Sequence, residues 1–130
     1  MLDRKDNHYW GVVLDAPDPR ELAEFYARLL GWKIVNAEPT WVTVGPPSGV
    51  AYLACHASPE YVRPVWPPAP GQQQQMLHLD IEVGKLHEAV AQAIEDGATL
   101  AEYQPQERVR VMLDPVGHPF CLYIDDSGEL

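Results

Sequence analysis

Cysteine is scarce in this chain of 130 residues. Cys55 and Cys121 are the only two, with no CxxC spacing, so neither a disulfide framework nor a four-thiolate zinc site can be built from them. Both thiols are expected to be reduced. Positive charge is scarce as well: 9 Lys and Arg against 19 Asp and Glu give a formal net charge of -10. Such a field repels phosphate backbones and anionic headgroups, which argues against nucleic-acid and membrane-surface partners. No apolar run approaches the roughly 20 residues of a membrane span, and residues 1–7 lack the apolar core of a signal peptide. A cytoplasmic protein is expected. A glycine-rich phosphate loop and a GxSxG elbow are also missing. What is present, 46% hydrophobic and 22% charged residues, suits one soluble domain that buries roughly two-thirds of its unfolded surface.

The chain repeats one order of elements. Tyr9 to Leu14 is apolar and β-branched and runs into Asp15-Ala16-Pro17-Asp18-Pro19, a strand followed by a helix start with Asp18 as N-cap and Pro19 in the first turn. Leu22, Phe25, Tyr26, Leu29 and Leu30 recur at helical spacing, and Gly31 supplies the left-handed terminator. Strand-like runs follow at Trp32 to Val35, Trp41 to Val44 and Val50 to Cys55. A proline-rich stretch with four consecutive glutamines then reads as a connector, about residues 57–75. Beyond it, Met76 to Val83 is strand-like, Leu86 to Asp96 is helical and ends at Gly97, and runs near Thr99 to Tyr103, Val109 to Leu113 and Pro119 to Ile124 complete a second unit. The expected organisation is one domain of two modules, about 8–56 and about 76–125.

Alternation assigns strand faces. In Met76 to Val83 the residues Leu77, Leu79, Ile81 and Val83 share one side and His78, Asp80 and Glu82 the other. The same reasoning predicts Val109, Val111 and Leu113 toward the helices with Arg108 and Arg110 opposite, and Cys121 and Tyr123 opposite Phe120 and Leu122. The polar sides are expected to form one wall.

With these elements in place, the sequence resembles the vicinal oxygen chelate superfamily, which contains glyoxalase, bleomycin-resistance proteins and extradiol dioxygenases. The carriers are Asp18-Pro19 with Phe25-Tyr26 and Leu30-Gly31-Trp32, then His78-Leu79-Asp80 with Gly97-Ala98, then Asp114-Pro115-Val116-Gly117-His118-Pro119-Phe120. It looks most like the glyoxalase-like branch common in actinobacteria, where a Pro/Trp stretch such as Tyr61 to Pro68 precedes the second module. The resemblance implies an α+β fold of two βαβββ modules, a curved eight-stranded open barrel or cup with helices on the convex side, and a homodimer. It also implies a divalent metal held by His or Gln and Glu from both modules. Residue by residue, His78 matches the second-module histidine, but the first-module counterpart is Gly11, and Cys121 stands where the family's second glutamate would be. Val50 to Cys55 offers no carboxylate.

The expectation is therefore a protein without a standard metal site or other cofactor, binding a small aromatic or cationic organic molecule in a pocket edged by His78, Asp80, Arg110, Cys121 and Tyr123 and walled by Trp41, Tyr52 and Trp66. The alternative is a divalent-metal lyase, isomerase or dioxygenase with an atypical set centred on His78, joined by Asp80 and Cys121. Against that set, residues two apart along a strand stand about 7 Å apart. A metal-free acid/base catalyst and a ligand-free dimeric module are further alternatives.

Overall fold

The computed structural model describes Met1, Leu2, Arg4 and residues 8–130; Asp3, Lys5, Asp6 and Asn7, within the stretch read above for a leader, lie outside the described residues. The chain divides into two compact units, Met1–Tyr61 and Val62–Leu130. Residues 62–75 of the connector thus belong to the second unit.

In the first unit β1 (Trp10–Ala16) leads into α1 (Pro19–Leu30), followed by β2 (Lys33–Glu38), β3 (Trp41–Gly45) and β4 (Ala51–Ala57). The Asp18 carboxylate accepts hydrogen bonds from the backbone N–H of Arg20 at 3.0 Å and Glu21 at 3.4 Å, and Gly31 closes the helix at φ 67°. The sheet order is β1-β4-β3-β2, with β1 and β4 parallel and the other pairs antiparallel. On one face Leu14, Val42, Val44, Leu53 and Cys55 are buried with Leu22, Phe25 and Tyr26 of α1. Each large side chain so buried contributes roughly 1.5–3 kcal/mol. The register places Gly11, Val13, Asp15, Trp41, Thr43, Tyr52 and His56 on the opposite, open face.

The second unit repeats the order with β5 (Leu79–Glu82), α2 (Leu86–Asp96), β6 (Thr99–Leu100), β7 (Val109–Leu113) and β8 (Pro119–Tyr123). Its sheet runs β5-β8-β7-β6, again with one parallel pair, β5 with β8. The α+β class and the paired βαβββ modules are as expected, as two four-stranded sheets.

Three expectations about the second unit need correction. First, the strand foreseen from Met76 begins at Leu79, and Met76 and Leu77 are exposed. Leu79 pairs with Phe120; one step earlier stands Pro119, which has no N–H to extend the ladder. Second, the division of β5 into faces holds, Leu79 and Ile81 pairing with the buried Phe120 and Leu122, but α2 packs on β6, β7 and β8 and leaves these two residues half-buried. Third, β7 is turned by one residue relative to the expected wall. Val111 pairs with Cys121 and Val109 with Tyr123, while Arg110 pairs with Leu122 and Met112 with Phe120 on the other face. Arg110 instead donates to the carbonyls of Gln106, Glu107 and Val109 at 2.8–3.1 Å. The strand expected to reach Tyr103 stops at Leu100, because the Gln104 amide takes over the ladder. It donates to Ala101 O and Val111 O and accepts from Val111 N, all at 2.8–2.9 Å.

The β7–β8 turn is organised by Asp114, whose exposure is 1%. Its carboxylate accepts from the backbone N–H of Val116 (3.0 Å) and His118 (2.9 Å) and lies 2.7 Å from His118 Nδ1. Asp114→Ala strands these buried donors and should lower the unfolding free energy by about 2–3 kcal/mol. Asp18→Ala, the loss of a partly exposed cap, should cost about 1 kcal/mol. Urea unfolding of the two variants beside wild type checks the order, and equal losses would contradict it.

Candidate functional site

Within the second unit a cavity of about 260 Å³ is lined by Trp66, His78, Asp80, Pro105, Gln106, Val109, Val111 and Cys121. Each wall has a local cause. Asp80, Cys121 and Val111 are successive neighbours across β5, β8 and β7 and therefore share a face. Trp66 is half-buried; its indole N–H donates to Tyr103 O at 3.1 Å and its ring lies 5.9 Å from that of Tyr103. The apolar connector thus docks on its own unit. Arg63 crosses the β7–β8 turn at Gly117, where a Cβ would collide with its side chain.

His78, Asp80 and Cys121 converge. Their ligand atoms lie within 4.8 Å of one another, with His78 Nε2 3.7 Å from Asp80 Oδ1. Two strand-ladder residues would diverge further, but His78 stands just outside the ladder, so its ring can fold back toward Asp80. The Cys121 thiol is pushed up to about 11, first by burial, then by the negative Asp80 carboxylate and a hydrogen bond to it. It is a protonated thiol at neutral pH.

The other candidate residues are placed elsewhere. Tyr123 shares the cavity face of β8 but does not line the cavity, and Arg110 lies on the other face. Trp41 and Tyr52 line a separate cleft in the first unit. His118 is tied to Asp114 in the turn. Val109, Val111, Pro105 and Gln106 were not foreseen as lining residues. For the two valines the missing information was the register of β7, not their type. His56, assigned nothing from sequence, has Nδ1 3.5 Å from Asp15 Oδ1 and its ring 6.0 Å from that of Trp41. The alternation of β1 and β4 on one open face was the available signal for that pair.

Residues 11–123 match the family model of the glyoxalase-like domain. The chain belongs to this family. It therefore falls in the vicinal oxygen chelate superfamily, as the sequence resemblance implied. Among solved structures, a glyoxalase/bleomycin resistance protein/dioxygenase family enzyme from Burkholderia phytofirmans PsJN aligns over 88% of this chain and 95% of its own at 16% identity, TM-score 0.65. A glyoxalase-related enzyme from Fulvimarina pelagi aligns over 95% and 89% at 18% identity, TM-score 0.63. TnmS3, an antibiotic binding protein from Streptomyces sp. CB03234, aligns over 97% and 100% at 17% identity, TM-score 0.61. At these identities the likeness shows the fold. No curated protein sequence gives a significant match.

At two positions where the resemblance implies metal ligands this glyoxalase-like domain has Gly11 and Cys121. At Gly11 a Cβ would lie 2.5 Å from the Tyr52 ring and 2.6 Å from the Tyr52 carbonyl oxygen, so the space beside it is filled by a tyrosine ring. On the open face of β4 the side chains are Tyr52, Ala54 and His56, with no carboxylate. A three-donor cluster, His78, Asp80 and Cys121, remains within one unit of the domain. Among the described residues no helix is long and apolar enough to cross a membrane.

The thiol supplies a direct check on this site. Alkylation by iodoacetamide requires the thiolate. The rate at Cys121 should therefore still be climbing at pH 10.5, beyond the ordinary midpoint near 9.0. Asp80→Asn, which removes the carboxylate charge, should move the profile to lower pH. Cys55 is fully buried and can be followed separately by peptide mass. A wild-type midpoint near 9, or one unmoved by Asp80→Asn, would contradict the geometry.

Proposed function

We propose that this glyoxalase-like domain binds a small aromatic cation, unchanged, in the cavity of its second unit. The observation that carries the reading is the pairing of the Trp66 indole with the Asp80 carboxylate in one cavity whose remaining wall includes Val109 and Val111. A flat ring can stack on the indole while its charge meets the carboxylate, a combination of cation–π and ion-pair attraction. The net charge of -10 favours approach of a cation. A structural neighbour described as an antibiotic binding protein supports small-molecule binding as a use of this fold. Cys121, held protonated, serves as a weakly polar wall and not as a nucleophile. The proposal takes the protein as a cytoplasmic homodimer.

One observation favours a second reading: three donors of nitrogen, oxygen and sulfur type within 4.8 Å. That set could hold a zinc-like ion for a lyase, isomerase or dioxygenase, with the thiol deprotonated on binding. The two readings separate by experiment. Under the first, purified protein carries well under one equivalent of zinc, nickel, manganese or iron, and a chelator leaves its thermal midpoint unchanged. N-methylquinolinium should quench tryptophan fluorescence saturably. Trp66→Ala should weaken its binding by roughly 1–3 kcal/mol, the range for truncating a packed aromatic anchor. Stoichiometric metal, lost together with stability on chelation, would overturn the first reading in favour of the second.

A further inference from the structure

The first unit contains a space of different chemistry. A cleft of about 580 Å³ opens on the sheet face away from α1, walled by Trp41, Tyr52, Tyr9 and Val35 and rimmed by Pro46 and Pro47 of the β3–β4 turn. Among the described residues no Asp, Glu, Lys, Arg or His lines it. Its lining residues all belong to the first unit.

Two strand glycines shape it. The Tyr52 ring occupies the space over Gly11 that any side chain would need, and Val35 lies across Gly45, where a Cβ would come within 3.1 Å of its Cγ2. Glycine inside a strand marks a close approach of another group, and here both approaching groups are cleft walls. Val35 sits at the irregularity between Ile34 and Asn36 in the β2–β3 register, which re-aims a side chain out of the alternation. Its 70% exposure and the 74% exposure of Tyr9 leave large apolar surface uncovered around the opening.

We propose that the first unit binds a flat, uncharged aromatic molecule in this cleft. Aromatic walls favour stacked or edge-on rings. With no charged side chain among the described lining residues, an ionic ligand would be desolvated there with no partner, which selects for neutral ones. The Thr43, Tyr9 and Tyr52 hydroxyls offer hydrogen bonds to a phenol, ether or amine at the ligand's edge.

N-phenyl-1-naphthylamine, neutral and fluorescent in apolar surroundings, is a suitable probe. The full chain should bind it saturably with one site, accompanied by energy transfer from tryptophan. Thr43→Trp fills the cleft while leaving Trp41 in place and should weaken binding at least tenfold. Trp41→Ala should do the same, with circular dichroism reporting whether the unit remains folded. Ile94→Trp adds an indole at an exposed site on α2 and should leave binding unchanged. Excess N-methylquinolinium should not displace the probe. Unsaturable binding, wild-type affinity in Thr43→Trp, or displacement by N-methylquinolinium would overturn the proposal. Failure of N-methylquinolinium to bind at all bears only on the second unit.

Discussion

The geometry of the second unit depends on one buried carboxylate. Asp114 gathers two backbone N–H groups and the His118 ring into the β7–β8 turn. A hairpin turn fixes the register of its strands, and a slip of one residue would exchange their faces. Held as it is, the turn sets Val111 beside Cys121, and the parallel pairing of β8 with β5 then sets Cys121 beside Asp80. The composition of the cavity wall follows from that pair of registers. The hydrogen bonds made to a buried side chain are costly to lose, which makes the turn a firm reference point for everything built on it.

Much of the fold was legible because its punctuation is chemical. Asp18, Gly31 and Gly97 mark helix ends through their own backbone and side-chain preferences, and these need no tertiary context. The recurrence of strand, helix and three strands was readable for the same reason. What alternation could not supply was phase between strands. It divided Val109 and Val111 from Arg110 correctly, yet it put Arg110 and not the valines on the face of Cys121. Gln104 was also unreadable as a strand terminator, since an amide replaces ladder hydrogen bonds only where the partner strand is in reach. In the candidate site, His78, Asp80, Cys121 and Trp66 stood out by residue type. Their convergence needed the late start of β5, opposite Phe120, and the docking of the connector on Tyr103.

The two units use one topology for opposite surfaces. In the first, the open face carries Tyr52, Thr43 and Trp41 along it, with the Asp15–His56 pair beside Trp41. In the second, a carboxylate, an imidazole and a thiol line one cavity with an indole brought in by the connector. The helix-facing residues do the same packing in both units, so the open faces were free to diverge.

Gly11 has a consequence for the history of such a chain. With the Tyr52 ring lying over it, any side chain restored at position 11 would meet the ring and the backbone oxygen beneath. A side chain there requires Tyr52 to be lost first or at the same time, and each single change alone leaves a clash or a hole. The tyrosine therefore acts as a ratchet: while it lies across β1, no single substitution at position 11 can put a side chain on that part of the sheet.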